Sequence, residues 1–267
     1  MNDMQIYLDG QAIYGDDFDA SQIAEWFEDE KEGFADIYAK DNASYSYEYH
    51  ALNKFNGFKY LPDRDFNNVL GFGSAYGEEL LPIKSRIKSA TIVDPSNQFV
   101  RDSVYGIPLT YVKPSPEGKL AFENDTFDLI TCFGVLHHIP NVSSVINELS
   151  RILKQDGYFL LREPIVSMGD WRHPRWGLTK RERGIPLHLL KAIVKANGLE
   201  IVKCTLCDFP ITVHLSHKLG VYNTFFATLV DTWMSRVFSW NLNYHPRNSL
   251  QRLRARSAFL VLRKTKP

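Results

Sequence analysis

Three groups of residues in this chain of 267 have types and spacings suited to chemistry. The first is the turn Gly71-Phe72-Gly73-Ser74-Ala75-Tyr76-Gly77. Glycines allow positive φ values and the close approach that lets a ligand lie against main-chain N–H groups. Tyr76 stands where a dinucleotide fingerprint needs its last glycine, so the turn is not a pyrophosphate cradle. Downstream, Ile92-Val93-Asp94-Pro95 closes an apolar run and sets a carboxylate where it could accept both hydroxyls of a ribose. The second group is His137 and His138, in Leu136-His137-His138-Ile139-Pro140, with Glu163 after the next apolar run. Each could take a proton near neutral pH, and each could instead serve the fold by capping a loop, bonding internally or, for Glu163, pairing with Arg162. The third is the segment from Asp170 to Pro186, with Trp171, Arg172, His173 and Arg175. Guanidinium forks match carboxylate or phosphate and indoles stack on planar or sugar rings, which points to an anionic substrate. The structural alternative is that these arginines pair with the acidic stretch Asp9 to Asp36.

These groups need a scaffold that brings chain segments to one edge. Short apolar runs at 69–70, 90–93, 109–112, 127–132 and 157–161 alternate with longer mixed segments, the pattern of βα units and a mostly parallel sheet. Between the fourth and fifth runs, Val145, Ile146, Leu149, Ile152 and Leu153 repeat at helical spacing, with Gly157 as a stop. A second helix over Pro186–Asn197, closed by Gly198, leads to strands beginning at Leu199 and, at the chain's end, Ser257. Residues 1–60 read as a helical, aromatic cap, with Ile23, Trp26 and Phe27 in helical register and Tyr45, Tyr47, Tyr49 and His50 clustered. Residues 209–256 read as one long amphipathic helix carrying Tyr222, Phe225, Phe226, Leu229, Val230, Trp233, Val237 and Phe238, a core-packing face, a lid or a homodimer face through 221–240. The division expected is thus a cap (1–60), an α/β core (61–208), a helical insertion (209–256) and a final core strand (257–267).

Lysine plus arginine equals aspartate plus glutamate at 31 each, which leaves no overall field for nucleic acid or an anionic membrane. No apolar run reaches the roughly 20 residues that span a bilayer, and the start lacks a basic segment leading into an apolar one, so the expected location is cytoplasmic. Cys204 and Cys207 form a C-x-x-C without a second ligand pair; they read as thiols of a core strand, and no metal site is expected.

The glycine turn, Asp94, the run from Leu120 to Ile130 with Phe127-Asp128, the stretch Cys132-Phe133-Gly134-Val135-Leu136-His137-His138-Ile139-Pro140 and Leu153-Lys154-Gln155-Asp156-Gly157 together resemble the class I S-adenosylmethionine-dependent methyltransferases, small-molecule branch. The resemblance runs from Asn68 to Glu163 and continues weakly beyond. It implies a doubly wound, seven-stranded α/β sheet with an antiparallel C-terminal strand, S-adenosylmethionine as cofactor, and cofactor contacts from Gly71, Gly73, Ser74, Gly77, Asp94, Pro95 and Phe133. It also implies a small-molecule acceptor and a general base among His137, His138 and Glu163, all at carboxyl ends of strands.

Two departures bear on cofactor binding. The family usually has an acid where this chain has Gly71 and a glycine where it has Ala75, whose methyl is tolerable if its φ is negative. The acid expected to meet the adenine amino group is also missing, leaving Ser115 or Glu117 as substitutes. The alternatives are an NAD(P)-dependent oxidoreductase or epimerase, disfavoured by Tyr76 and the lack of a convincing Tyr-x-x-x-Lys pair, and a binding protein that keeps the fold without catalysis.

Overall fold

In a computed structural model that describes residues 4–33 and 46–265, one sheet of eight strands organises the chain. The strands are β1 (Phe66–Phe72), β2 (Ile87–Val93), β3 (Ser103–Val104), β4 (Ile107–Val112), β5 (Phe127–Phe133), β6 (Leu153–Pro164), β7 (Leu199–Cys207) and β8 (Ser257–Lys264). Their order is β3-β4-β2-β1-β5-β6-β8-β7. β1 pairs in parallel with β2 and β5, β2 with β4 and β5 with β6, while β8 runs antiparallel between β6 and β7. The doubly wound sheet and its antiparallel C-terminal strand are as expected. The additional strand, β3, is two residues long and pairs with β4 at the edge, too short to carry a periodic signal.

The helices are α1 (Met4–Leu8), α2 (Ala20–Glu30), α3 (His50–Asn56), α4 (Val142–Ile152), α5 (Leu187–Ala196), α6 (Pro210–Lys218) and α7 (Phe225–Val237). They cover both faces of the sheet, and central-strand residues such as Leu70, Leu129, Ile130 and Leu160 are completely buried. From β1 the chain moves outward through β2 and β4, then returns to lay β5 on the other flank of β1. Connections leaving in opposite directions open a crevice at the carboxyl ends of β1 and β5, the usual ligand position in such sheets.

Three local expectations are corrected. The glycine turn opens into a 3-10 helix, Glu78–Arg86, because Pro82 and the non-helical Ile83 interrupt any α-helix there. Gly157 does not stop α4: Leu153 is already extended as the first residue of β6, and Gly157 sits within that strand, where a Cβ would come within 2.7 Å of the Lys154 carbonyl oxygen. The segment 209–256 is not one long helix but holds α6 and α7, separated by a turn with Gly220 at φ +67°.

The N-terminal segment docks through polar contacts as well as aromatic ones. Asp19 and Gln22 form a reciprocal cap that starts α2, which buries Ile23, Trp26 and Glu30. The Trp26 indole N–H donates to the His138 carbonyl at 2.7 Å. Asp16 accepts from the Ser143 N–H at 2.8 Å and from its hydroxyl at 2.6 Å, supplying α4 with a cap from elsewhere in the chain. Tyr45 and Asp36, part of the expected aromatic cluster and acidic run, lie outside the described residues.

Candidate active site

A cavity of about 440 Å³ lies at the carboxyl ends of the central strands. The side formed by the glycine turn is built by neighbours in the chain. Gly73 has φ +64°, and a Cβ there would sit 2.4 Å from Val135, so only glycine lets the turn after β1 pass against the loop after β5. Ala75 also lies in the left-handed region, at φ +45°, so the condition under which its methyl would carry no strain is not met. Its conformation aims the Ala75 N–H at Asp94 Oδ2, 3.1 Å away, while Asp94 Oδ1 accepts from the Ser96 N–H at 3.0 Å. Burial raises the Asp94 carboxyl to about 6, against the opposing pull of these two N–H donors.

Asp94, Gly73, Ser74, Pro95 and Phe133 line the cavity. Gly71 and Gly77 do not: Gly71 is the penultimate residue of β1, and Gly77, at φ +72°, turns the chain into the 3-10 helix. A Cβ at position 71 would be 2.6 Å from Ser74 Oγ and 2.9 Å from Ile92 Cδ1, so a larger side chain there requires Ser74 and Ile92 to shift. A carboxyl reaches the region from Glu79 instead. It lines the cavity, is buried, and accepts from the Thr131 hydroxyl at 3.2 Å. Burial raises the pKa of its carboxyl to about 7 despite hydrogen bonds from Ser74 and Thr131. The sequence signal was Glu78-Glu79 in the first turn of the helix after the glycines. Of the two adenine substitutes, Ser115 lines the cavity and Glu117 does not.

The opposite side gathers distant segments. His137 Nδ1 lies 2.9 Å from Glu163 Oε2, and its Nε2 lies 3.3 Å from Glu182 Oε2. His138 Nδ1 lies 2.8 Å from Glu30 Oε2, and its Nε2 lies 3.6 Å from Glu182 Oε2. Burial disfavours charge on His137, but Glu163 and Glu182 outweigh it and raise the imidazole to about 9. Burial and the neighbouring His137 lower His138, against the pull of Glu30 and Glu182.

Glu163, expected as a possible base, is corrected to an anchor. It is fully buried and accepts the N–H groups of Val135, Leu136 and His137 at 2.8–3.3 Å, leaving it to hold the loop after β5. It does not line the cavity, nor is it paired with Arg162, whose guanidinium lies over the Tyr49 ring at 4.0 Å and does line it. Arg183, also fully buried, holds the same loop from outside by donating to the carbonyls of Leu136, Ile139 and Pro140.

The loop expected to bind an anion faces elsewhere. Arg172 folds onto Asp170, Arg175 donates to the carbonyls of Met168, Thr179 and Glu182, and His173 is largely exposed. Trp171 is buried with its ring 5.4 Å from that of Tyr14. None of the four lines the cavity; Gly177, Leu178, Thr179 and Glu182 from the same connection do. Lys180 and Arg181 pair with Asp29, and Arg181 also with Glu25, so the pairing with the acidic N-terminal stretch is made by Arg181, whereas Arg172 pairs with Asp170 and Arg175 donates to carbonyls. Glu30, Arg162 and Glu182 were not singled out from sequence, because nothing along the chain marks which charged side chains fold inward.

Residues 45–204 match a family model described as a methyltransferase domain. An uncharacterized methyltransferase of Bacillus subtilis, YcgJ, is 30% identical over 100 residues, 36% of this chain and 40% of that protein. The ubiquinone biosynthesis O-methyltransferase of Proteus mirabilis is 32% identical over 53 residues, 20% of this chain and 22% of that protein. The chain therefore spans well under half the length of these relatives in the matched regions. Among solved structures, that of B. subtilis YcgJ aligns with 82% of this chain and all of its own at a TM-score of 0.52 and 20% identity, a likeness of fold.

Proposed function

The chain belongs to the methyltransferase domain family, and on that premise we propose that it binds S-adenosylmethionine over the Gly73–Ala75 turn and methylates a small acceptor held beside His137, His138 and Glu182. The family match removes the oxidoreductase alternative. The observation that carries the proposal is a pair of buried carboxyls lining one cavity with one glycine turn: Asp94 at the end of β2 and Glu79 beside Ser74. Two N–H donors fix the Asp94 oxygens, whose remaining lone pairs suit ribose hydroxyls. Glu79 supplies the negative charge that Gly71 cannot, suited to an amino-acid ammonium group, whose arrival would ionise it.

When bound, S-adenosylmethionine supplies an electrophilic methyl group on a positively charged sulfur. The chain has to align the acceptor, exclude water and accept a proton where the acceptor carries one. Trp26, Glu30, Tyr47 and Tyr49 of the 1–60 segment line the cleft, whereas no described residue of 209–256 does. This supports the N-terminal segment, rather than 209–256, as the cap. The His138 and Glu182 lone pairs face the cavity and can receive the acceptor's hydrogen.

Calorimetry with S-adenosylmethionine tests the reading. Asp94→Asn should weaken binding by about 1.5–3 kcal/mol, the range for a hydrogen bond to a charged group. Because the ionised carboxylate is the better acceptor, wild-type affinity should fall as pH drops through about 6, and the variant should lose that step while keeping the one that Glu79 sets near 7. Unchanged affinity in the variant would sink the assignment.

A further inference from the structure

His137, His138 and Glu182 offer three ligand atoms, all within 4.8 Å of one another, at the wall of the cavity. We propose that they form a binding site for a divalent first-row transition metal ion. The two Nε2 atoms stand 3.3 and 3.6 Å from Glu182 Oε2. Ligands at about 2.1 Å in tetrahedral array are about 3.4 Å apart, so an ion could enter with small side-chain adjustments.

The partners of the far ring nitrogens strengthen the assignment. Both imidazoles present Nδ1 to a carboxylate, His137 to Glu163 at 2.9 Å and His138 to Glu30 at 2.8 Å. A carboxylate on Nδ1 holds the proton there, fixes the ring and leaves the Nε2 lone pair for a metal, the usual outer arrangement of histidine-ligated ions. These carboxylates are themselves fixed, Glu163 by three N–H groups and Glu30 by the Arg181 N–H and the Thr179 hydroxyl. The Thr179 N–H holds Glu182 at 2.7 Å.

Charge points the same way. Glu30, Glu163 and Glu182 are all buried around the two imidazoles. The neighbouring guanidiniums of Arg175 and Arg183 donate to backbone carbonyls, and that of Arg181 goes to Glu25 and Asp29. Three carboxylates concentrated around two imidazoles favour a divalent ion at the point where the lone pairs converge, in place of the proton that His137 otherwise holds there. Two imidazoles and one carboxylate select a borderline ion such as Zn²⁺, Fe²⁺ or Co²⁺ over Mg²⁺ or Ca²⁺, which prefer all-oxygen shells. Three protein ligands leave a position open toward the cavity, suited to an oxygen of the acceptor. The ion and an acceptor's proton are alternative occupants of one point. Only this role rests on the methyltransferase reading; the binding site does not.

The full-length chain, stripped with a chelator, is titrated with Co²⁺ and followed by visible absorption and calorimetry, with S-adenosylmethionine binding measured in parallel. The expected result is one Co²⁺ per chain at micromolar affinity or tighter, with a nitrogen- and oxygen-ligand spectrum. Glu30→Gln, which leaves the three proposed ligands in place and alters the carboxylate behind His138 Nδ1, should weaken Co²⁺ binding about 10–100-fold, and His138→Gln and Glu182→Gln should weaken it more. Each variant's thermal midpoint serves as the folding control, and the partly exposed His138 is chosen over the fully enclosed His137 for that reason. Absence of binding up to millimolar Co²⁺, binding that survives the His138→Gln, Glu182→Gln double variant, or a thiolate spectrum from Cys204 and Cys207 would each overturn the site. Co²⁺ binding without S-adenosylmethionine binding would keep the metal site and refute the methyltransferase reading; the reverse would do the opposite.

Discussion

The two sides of the cleft are built by different means. On the cofactor side, Gly73, Ala75 and Asp94 lie within one βαβ stretch, and the bond joining the turn to the carboxylate links residues 19 positions apart. On the acceptor side, Glu30 meets the Arg181 N–H across 151 positions, and Trp26 meets the His138 carbonyl across 112. A site of near neighbours depends on the turn's own geometry, whereas one assembled from distant segments depends on everything that docks them. Damage to the cap should therefore reach the acceptor side first.

Trp26→Ala offers the harshest test of that contrast. The indole is completely buried and donates to the loop carrying both histidines, so its removal should cost about 3–5 kcal/mol in urea unfolding. A loss below 1 kcal/mol would mean the cap is not coupled to the acceptor wall.

Glu79→Gln sharpens the contrast from the cofactor side. Burial raises the folded-state carboxyl from 4.5 to about 7, so folding favours its protonated form. Its contribution to stability is fully present below pH 4.5 and is lost as pH rises through about 7. Above pH 7 the variant should be more stable than the wild type by on the order of 2–3 kcal/mol while binding S-adenosylmethionine less tightly. Parallel pH-stability curves for the two proteins would rule out a buried ionising role.

The smallest effect is expected at Ala75→Gly. At φ +45° the alanine is held in a conformation that glycine adopts freely, so the substitution should raise the thermal midpoint by an amount equivalent to about 1 kcal/mol. A destabilised variant would show that the alanine methyl, buried in its turn, contributes more packing than its backbone loses.

The insertion repeats the lesson on the surface. Phe225, Phe226, Leu229, Trp233 and Val237 have helical spacing and remain exposed, while α7 buries Thr228, Asp231 and Ser235. Asp231 accepts the N–H groups of Asp208 and Phe209 at 2.8 Å, a demand from the end of β7 and the start of α6 that apolar periodicity cannot reveal.

By itself the sequence determined the mostly parallel sheet, the glycine turn and the place of Asp94 just past β2, while the antiparallel direction of the last strand entered only through the family resemblance. Apolar runs, turn residues and the stretches joining them are properties of neighbouring residues, and strand order follows from how such units pack. Tertiary structure alone decided that Glu163 anchors a loop, that Arg172 and Arg175 do not line the cleft, that Glu79 does, and that Glu30 and Glu182 close around the two histidines. Those outcomes turn on which distant donor satisfies which buried carboxylate, and a residue's type does not carry that information until the segments holding its partners have docked.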